Sequence, residues 1–356
     1  RANYGKKIRE FLQKHNILKI IDFGELPVFE EAATFPAVYL VSNNKESSEI
    51  SLTNINTLNF PSLEHFIREN QRLLPPEAFK GDNWNLTSKE TYKILEKMKK
   101  IGTKLGEYVN YEIYRGLLTG FNKAFILDEK TKAEIISEDS KSEELIYPFI
   151  IGDDIRKYHI RDKGRYLILT KIGVDIENYP GIFNHLKKYQ NKLENRWDKG
   201  NNWWELRACS YYEEFKKPKI IFPDIAKESR WTYSDTTVYV GNTGYIIPKN
   251  DKYLLGIMNS KAVFFFYSHI AAILGDIKKG GRLRWIYQDV IKIPIPKTTD
   301  KNKTKIIEKV DQILEHKQHS PSADTSALEV EIDEMAYDLY GLTEEERKIV
   351  EEGVKK

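Results

Sequence analysis

The spacing of apolar positions predicts helices and two strands in the first hundred residues. Apolar residues recur at helical spacing in Tyr4–Asn16, the run 17–24 predicts a short buried strand, and the run 36–42, with its β-branched and aromatic residues, predicts a second strand. The segment 43–57 is polar and poor in large apolar residues, which predicts a boundary there. A short helix is expected over 62–70. A longer one is expected over Ser88–Lys100, capped by Ser88 and ended by Gly102.

The sequence pattern in the middle of the chain differs from that of the first hundred residues. From Tyr108 to Pro296, strand-like runs alternate with turn residues, as in NKAFILD (122–128), GRYLILT (164–170), KPKIIFPD (217–224) and TTVYVGNTGYIIP (236–248). Helices are expected to interrupt them at Ile182–Asn195 and Tyr253–Ile273, and helical periodicity returns at Lys303–His316 and Ser326–Tyr340. The pattern predicts an α+β protein with a strand-rich central domain, an αβ piece before it and a helical segment after it.

Length and composition narrow the class of protein. The chain has 356 residues, of which 40% are hydrophobic, and its mean hydropathy is −0.55. The longest apolar run, about Ala262 to Leu274, contains His269 and is too short to span a bilayer. A single cysteine, Cys209, excludes a disulfide framework. We therefore expect a cytoplasmic protein without a membrane partner. Because the first residue is Arg1, we also expect a fragment of a longer protein.

The net charge of +3 conceals two regions of opposite sign. The window from Asp276 to Lys305 holds nine basic and three acidic residues, whereas the tail from Asp324 to Lys356 holds eleven acidic and four basic residues. For the tail, a solvated face is the simpler interpretation. For the basic window, contact with a polyanion is the hypothesis that the following residues support.

Familiar catalytic and metal-binding motifs do not occur in the sequence. It contains no GxxxxGK[ST], GxGxxG, HExxH or CxxC, and its seven histidines have no zinc-like spacing. Asp224, Lys227 and Glu228 faintly resemble a nuclease set of carboxylates and lysine, but their order is wrong. We predict no catalytic, cofactor-binding or metal-binding residue in this chain.

The residues that remain favour nucleic acid. Around Gly280 and Gly281, four cations could contact phosphate or a guanine edge, while a solvated β-turn is the alternative. The glycines Gly116 and Gly120 could adopt positive φ and present polar groups before a strand, although a simple turn explains them too. Aromatic residues beside arginine can stack on bases, but such residues more often form a core, as we expect for Trp204. The predicted DNA-contacting residues are Arg115, Thr119, Asn122, Lys123, Trp203, Arg207, Lys227, Arg230, Lys278, Lys279, Arg282 and Arg284.

Several stretches in a fixed order resemble a known family. YRGLLTGFNKAFILD (114–128), IYPFIIGDDIRKY (146–158), NWWELR (202–207), KGGRLRW (279–285) and IKIPIPK (291–297) are similar to motifs of the TaqI-like C-terminal specificity domain. This is the target-recognition module of type IIG restriction-modification enzymes and related adenine-specific DNA methyltransferases. The segment 4–42 resembles the end of their methyltransferase domain. The resemblance implies four regions: a methyltransferase remnant (1–45), a linker with helices (46–104), a DNA target-recognition domain (105–297) and a helical segment (298–356).

The resemblance also implies a function, which is recognition of a short sequence in double-stranded DNA. The parent enzyme would methylate a flipped adenine with S-adenosylmethionine, and a type IIG parent would also cut DNA with a magnesium-dependent nuclease. The tetrapeptide NPPY and the cofactor motif of the family are not in this sequence, so we expect the chain to be inactive alone and to work with upstream methyltransferase or nuclease domains. A type I specificity subunit and a protein-docking module are the alternatives.

Overall fold

A computed structural model describes residues 5–24, 26–29, 31, 36–43, 49–79, 84, 88–271, 273–274 and 281–355. Helices and strands are mixed along the chain and the strands form several small sheets, which confirms the predicted α+β class. The chain divides into two compact units, one of Arg1–Lys100 with Thr343–Ile349 and one of Ile101–Leu342 with Val350–Lys356. In the described residues, no helix combines the length and the apolar character that crossing a bilayer requires.

The first unit is a four-stranded sheet with helices. Its elements are α1 (Lys6–Leu12), β1 (Asn16–Asp22), β2 (Ala37–Ser42), β3 (Ile50–Asn54), α2 (Leu63–Asn70), β4 (Arg72–Leu74) and α3 (Lys89–Ile101). The strand order is β2-β1-β3-β4, and β1 is antiparallel to β2 but parallel to β3. Its core includes Ile20, Leu52, Leu74 and Phe79. The polar stretch 43–57 was expected to be a boundary, yet it contains β3, because Ile50 and Leu52 bury their side chains in this core.

The second unit begins with short strands and two larger sheets. Its first half contains β5 (Gly102–Lys104), α4 (Leu105–Tyr108), β6 (Tyr114–Arg115), α5 (Asn122–Phe125), β7 (Ile126–Asp128), α6 (Glu129–Glu138), β8 (Ile146–Ile150), β9 (Ile155–Arg156), β10 (His159–Ile160), β11 (Arg165–Ile168), α7 (Pro180–Lys187) and α8 (Gln190–Glu194).

The rest of the second unit and the tail are richer in helix. They contain β12 (Lys219–Pro223), β13 (Ile225–Ala226), β14 (Thr232–Ser234), β15 (Tyr239–Val240), β16 (Gly244–Ile247), α9 (Lys252–Asn259), α10 (Lys261–Ile270), β17 (Ile273–Leu274), β18 (Arg282–Arg284), α11 (Tyr287–Val290), β19 (Pro294–Pro296), α12 (Asp300–His319), α13 (Ser326–Leu339) and α14 (Glu344–Val354). The two helices predicted in the tail are thus present as α12 and α13.

Two four-stranded sheets share one core in the second unit. Their strand orders are β15-β8-β11-β7 and β14-β12-β16-β6, and a bridge between Leu117 and Gly241 joins the ends of β6 and β15. Leu127, Leu167, Ile221 and other buried side chains of both sheets belong to the same cluster. A small sheet of order β13-β18-β17 extends from the end of β12. The loops that follow β6, β12 and β15 are therefore neighbours.

Three predicted elements differ from the structure. The helix expected over 182–195 is two helices, α7 and α8, and the helix expected over 253–273 is also two, because Ser260 ends α9 and caps α10 by accepting from the amide of Val263. Of the predicted strand 122–128, only Ile126–Asp128 is a strand, since the first four residues form one helical turn after Phe121.

Candidate nucleic-acid interface

The stretch 116–122, which we call the glycine turn, depends on its two glycines in different ways. Gly116 has no positive φ; it lies so close to the next strand that an added Cβ would be 2.0 Å from the carbonyl oxygen of Gly241. Its amide donates to the carbonyl oxygen of Gly244 at 2.8 Å. Gly120 has φ of +70°, a conformation that side chains disfavour. Close packing at Gly116 and a left-handed residue at Gly120 thus fix the turn.

Thr119, Asn122 and Lys123 have unequal access to a partner molecule. Thr119 is only 1% exposed, and its hydroxyl donates to Oδ1 of Asn122 at 2.6 Å. Asn122 and Lys123 are exposed at the start of α5. Thr119 therefore orients Asn122 from below, and the surface of the turn is formed by Asn122 and Lys123.

Arg196 connects the glycine turn to the segment 195–207, which we call the tryptophan loop. The guanidinium group is buried and donates to the carbonyl oxygens of Thr119, Trp203 and Glu205. It also lies 4.4 Å from the centre of the Phe125 ring. Burial lowers the pKa of Arg196 to about 10, so the group stays charged at neutral pH. Two segments far apart in sequence are thereby held together by one side chain.

The three tryptophans of this loop have different environments. Trp203 and Trp204 are partly buried, pack edge to face at 5.4 Å and lie against the core of the second unit. Trp203 also contacts Phe183, with 5.9 Å between ring centres. Trp197 is 98% exposed. Trp203 is among the predicted contact residues and Trp197 is not, although the polar surroundings of Trp197 in NRWDKGNN offer it no apolar neighbours to pack on.

Arg207, Arg115 and Arg284 form a chain of neighbours that we call the arginine row. Burial and Cys209 raise the pKa of Tyr211, whereas Arg207 and Arg115 both lower it, so both arginines lie near this hydroxyl. The Tyr211 ring stacks on that of Tyr114, 4.7 Å away, which sets its position beside Arg115. Arg115 and Arg207 are exposed.

The row continues past Asp224. Burial raises the pKa of the Asp224 carboxyl, and Arg115 and Arg284 oppose this rise. Two backbone contacts fix the arrangement: the amide of Trp285 donates to the carbonyl oxygen of Asp224 at 2.8 Å, and Nε of Arg115 donates to the carbonyl oxygen of Asn242 at 2.9 Å. The half-buried Asp224 carboxylate is therefore within electrostatic reach of two arginines, at the ends of β6 and β18.

A second group of cations lies along the small sheet. Ala226 pairs with Leu283, so the exposed Lys227 follows directly beside Arg282. Nε of Arg230 donates to Glu228 at 3.0 Å. Burial lowers the pKa of Arg156, and the positive charges of Arg230 and Arg161 lower it further. Arg156 and Arg161 are thus additional cations that the sequence analysis did not select.

The predicted residues are therefore gathered into two adjoining surfaces. The glycine turn and tryptophan loop carry Asn122, Lys123 and Arg207, and the ends of the small sheet carry Lys227, Arg230, Arg282 and Arg284 with Arg115 between them. Lys278 and Lys279 lie outside the described residues. The prediction that these side chains contact DNA stays a prediction.

Asp224, Lys227 and Glu228, which resemble a nuclease set in the sequence, do not have the environment of a nuclease site. Asp224 is within electrostatic reach of two arginines, and Glu228 binds Arg230. Across the segments that the structure describes, no group of three or more His, Cys, Asp or Glu side chains is arranged to hold a metal ion. Asp224, Lys227 and Glu228 are thus spread along a cationic surface.

The chain is similar to a known protein family and to curated proteins. Residues 147–295 match the family described as the TaqI-like C-terminal specificity domain. The chain is 28% identical over 214 residues to the type II methyltransferase M.MjaIV of Methanocaldococcus jannaschii, covering 56% of this chain and 69% of the relative. It is 24% identical over 362 aligned positions to the type II methyltransferase M.BanIII of Aneurinibacillus aneurinilyticus, covering 87% of this chain and 61% of the relative.

A solved structure has a similar fold. The type IIL restriction-modification enzyme MmeI, determined in complex with DNA, superposes with a TM-score of 0.58 at 14% identity, covering 96% of this chain and 46% of that enzyme. The chain thus spans about half the length of MmeI. The family match includes the tryptophan loop and two members of the arginine row, Arg207 and Arg284, whereas Arg115 and the glycine turn precede it. Residues 147–295 are therefore similar to the TaqI-like C-terminal specificity domain, the family that the sequence motifs predicted.

Proposed function

We propose that this chain recognises a short sequence in double-stranded DNA for an adenine-specific methyltransferase of a type II restriction-modification system. The observation that carries the proposal is the arginine row: Arg207 and Arg115 both act on the Tyr211 hydroxyl, Arg115 and Arg284 both act on the Asp224 carboxyl, and Arg207 and Arg284 lie within the matched residues. Arginine can bind phosphate through its planar fork and can also pair with the O6 and N7 atoms of guanine. The curated relatives are named type II methyltransferases, which favours this function over that of a type I specificity subunit.

Methyl transfer itself would use residues that this sequence does not contain. The family's NPPY tetrapeptide and its cofactor motif do not occur in the 356 residues. In the first unit, a surface groove is lined in part by Lys19, Ile67 and Glu64, but the Glu64 carboxylate already binds Arg68 at 3.1 Å. None of the six residues that line this groove is buried, so it offers S-adenosylmethionine no enclosed site. We therefore expect no binding of S-adenosylmethionine in a calorimetric titration, and micromolar binding would contradict that expectation.

The test of DNA recognition is selection from a pool of random duplexes, with fluorescence anisotropy of the chain at stated salt concentrations. We expect a short motif to be enriched, because base contacts specify while phosphate contacts position. The affinity should fall steeply with salt, since bound cations release counterions from DNA. If the chain binds DNA but no motif is enriched, it does not recognise a sequence on its own. Absence of binding at low salt would overturn the proposal.

Charge reversal identifies the surface. Arg115→Glu and Arg284→Glu should each lower the affinity at least tenfold and reduce the salt dependence by about one unit. Arg282→Glu with Arg284→Glu tests the small sheet in the same way. The matched control is Lys130→Glu, which makes the same charge change on the exposed side of α6, where the lysine is 85% exposed. Equal losses in control and test variants would show a general charge effect and remove our choice of surface.

A further inference from the structure

Trp197 has the highest exposure, 98%, of the large hydrophobic side chains that the structure describes. Its neighbours are polar: Asn195 and Lys199 are exposed and Asp198 is partly exposed. A hydrophobic docking site for a protein is usually a cluster of apolar side chains around a central anchor. Here one aromatic ring projects alone from a polar loop. The partner that suits an isolated ring of this kind is one that offers a flat apolar face within a polar surface.

The backbone on both sides of Trp197 is held firmly. Arg196 is buried and donates to three carbonyl oxygens, and Asp198 accepts from Arg207 at 3.0 Å. The ammonium group of Lys199 donates to the carbonyl oxygen of Glu194, and the segment ends in a bridge between Lys199 and Leu206. The ring is therefore presented by a pre-organised backbone, which reduces the entropy lost when it binds.

The charges around the ring favour a polyanion. Arg207 begins the arginine row, and exposed lysines lie on the connected elements: Lys123 in α5, Lys192 in α8 and Lys199 in the loop. Lys192 lies 5.3 Å from the centre of the Phe121 ring, which places α8 against the end of the glycine turn. In duplex DNA, the flat apolar faces are those of the stacked bases, and an apolar side chain reaches them by entering a base step.

We propose that Trp197 is a wedge that inserts between bases of the duplex and unstacks them while the arginine row holds the backbone. This inference rests on the proposed function and adds to it a residue that distorts DNA. An aromatic ring stacks on any base, so the wedge would contribute affinity and distortion with little preference among bases. Distortion would cost least where the duplex is already weakened, as at a missing base.

The test compares two fluorescent duplexes that are identical except for one abasic site. The chain should bind the abasic duplex about 5- to 100-fold more tightly, the range expected for one base–aromatic stack. Trp197→Ala should bind both duplexes equally, and Trp197→Phe should keep part of the preference. Val330→Ala, which changes a half-exposed apolar residue on α13, is the control and should behave like the unchanged chain. Because Trp197 is almost fully exposed, its variants should keep the melting temperature, which is measured first.

The outcomes separate the wedge from the proposed function. If the unchanged chain binds both duplexes equally, or if Trp197→Ala keeps the preference for the abasic duplex, the wedge is wrong and DNA recognition stands. If the chain binds neither duplex at low salt, both proposals fall. A second readout is 2-aminopurine placed within an intact bound duplex: its fluorescence should rise with the unchanged chain and stay low with Trp197→Ala.

Discussion

Arg207 and Asp198 form an ion pair in which 3.0 Å separates Nη1 from Oδ1. The pair joins the two ends of the tryptophan loop, and its side chains are 51% and 35% exposed. Exposed ion pairs stabilise a fold by only about 0–1 kcal/mol. The main effect of Asp198 is therefore electrostatic, because it offsets the charge of one member of the arginine row.

Asp198→Asn should strengthen DNA binding without unfolding the protein. Removing the carboxylate leaves Arg207 free to bind phosphate, so the affinity should rise several-fold at low salt and less at high salt. The free energy of unfolding should fall by about 1 kcal/mol or less. Anisotropy titrations and urea unfolding measure the two effects. Glu134→Gln on α6, where the carboxylate is 63% exposed, removes the same charge and should leave the affinity unchanged.

Arg196→Ala should destabilise the second unit by about 2–4 kcal/mol, because three carbonyl oxygens lose a buried charged donor. Arg196→Lys should recover only part of this, since an ammonium group has no fork to reach all three. The free energy of unfolding in urea is the measurement. Lys192→Ala, on the neighbouring exposed surface of α8, should cost less than about 0.5 kcal/mol. Similar values for Arg196→Ala and Lys192→Ala would contradict a structural role for Arg196.

Gly116→Ala should lower the free energy of unfolding by about 3 kcal/mol or more, because the new methyl group would meet the backbone of Gly241. The comparison variant is Gly173→Ala: this glycine has φ of +89° but open space around it, so it should lose only the 1–2 kcal/mol of backbone strain. Thermal unfolding of both variants tests the order. If Gly116→Ala lost less stability than Gly173→Ala, the backbone segments at Gly116 and Gly241 would have to separate easily.

Lys219 makes the stability depend on pH. It is fully buried, its ammonium group donates to the carbonyl oxygens of Lys217 and Thr236 at 2.8 Å each, and burial lowers its pKa to about 8. The unfolded chain, with an ordinary lysine pKa, binds more protons than the folded chain between pH 8 and about 10.4. The contribution of Lys219 to the free energy of unfolding should therefore increase as the pH rises from 8 to about 10.4.

The variant Lys219→Met isolates that contribution. The difference in unfolding free energy between the unchanged chain and the variant should shift in favour of the unchanged chain from pH 7.5 to 9.5, by about 1–2 kcal/mol. Staying below pH 10 avoids the ionisation of tyrosines in the unfolded chain. Urea unfolding at several pH values gives the difference, and parallel curves would mean that the lysine keeps its ordinary pKa.

Asp224→Asn should change which sequence is selected. The carboxylate is within electrostatic reach of Arg115 and Arg284 and, in the described residues, makes no ion pair, so it can accept from the amino group of cytosine. The amide should raise the affinity for random DNA a few-fold, because a negative charge is lost, and relax or alter one position of the enriched motif. Selection with both proteins is the measurement. An identical motif would show that Asp224 reads no base.

The sequence predicted the fold class because the fold class depends on local patterns. Strand-like runs such as KPKIIFPD and the cap at Ser88 are visible without any partner. The breaks in the helices 182–195 and 253–273 were not predicted. Ser260 lies in a continuous apolar pattern, and only the packing of α10 shows that its side chain caps a new helix.

The assembly of the surface could not be predicted because it depends on contacts between distant residues. Arg196 and Thr119 are 77 positions apart, and Arg115 and Asn242 are 127 apart. Thr119 was selected for its polar side chain, yet its burial makes it a support for Asn122. Trp197 was overlooked because tryptophan usually belongs to a core, and only the exposed surface area distinguishes it from Trp203 and Trp204.

The frame of the glycine turn and tryptophan loop is made mostly of backbone groups: close contact at Gly116, the conformation of Gly120 and carbonyl oxygens bound by Arg196. The exposed side chains contribute little to this frame. Random mutations at Lys123, Trp197 and Arg207 should therefore yield libraries in which most members fold. The surface of such a domain can vary while its scaffold is kept, which makes it suitable for selection from libraries of surface variants.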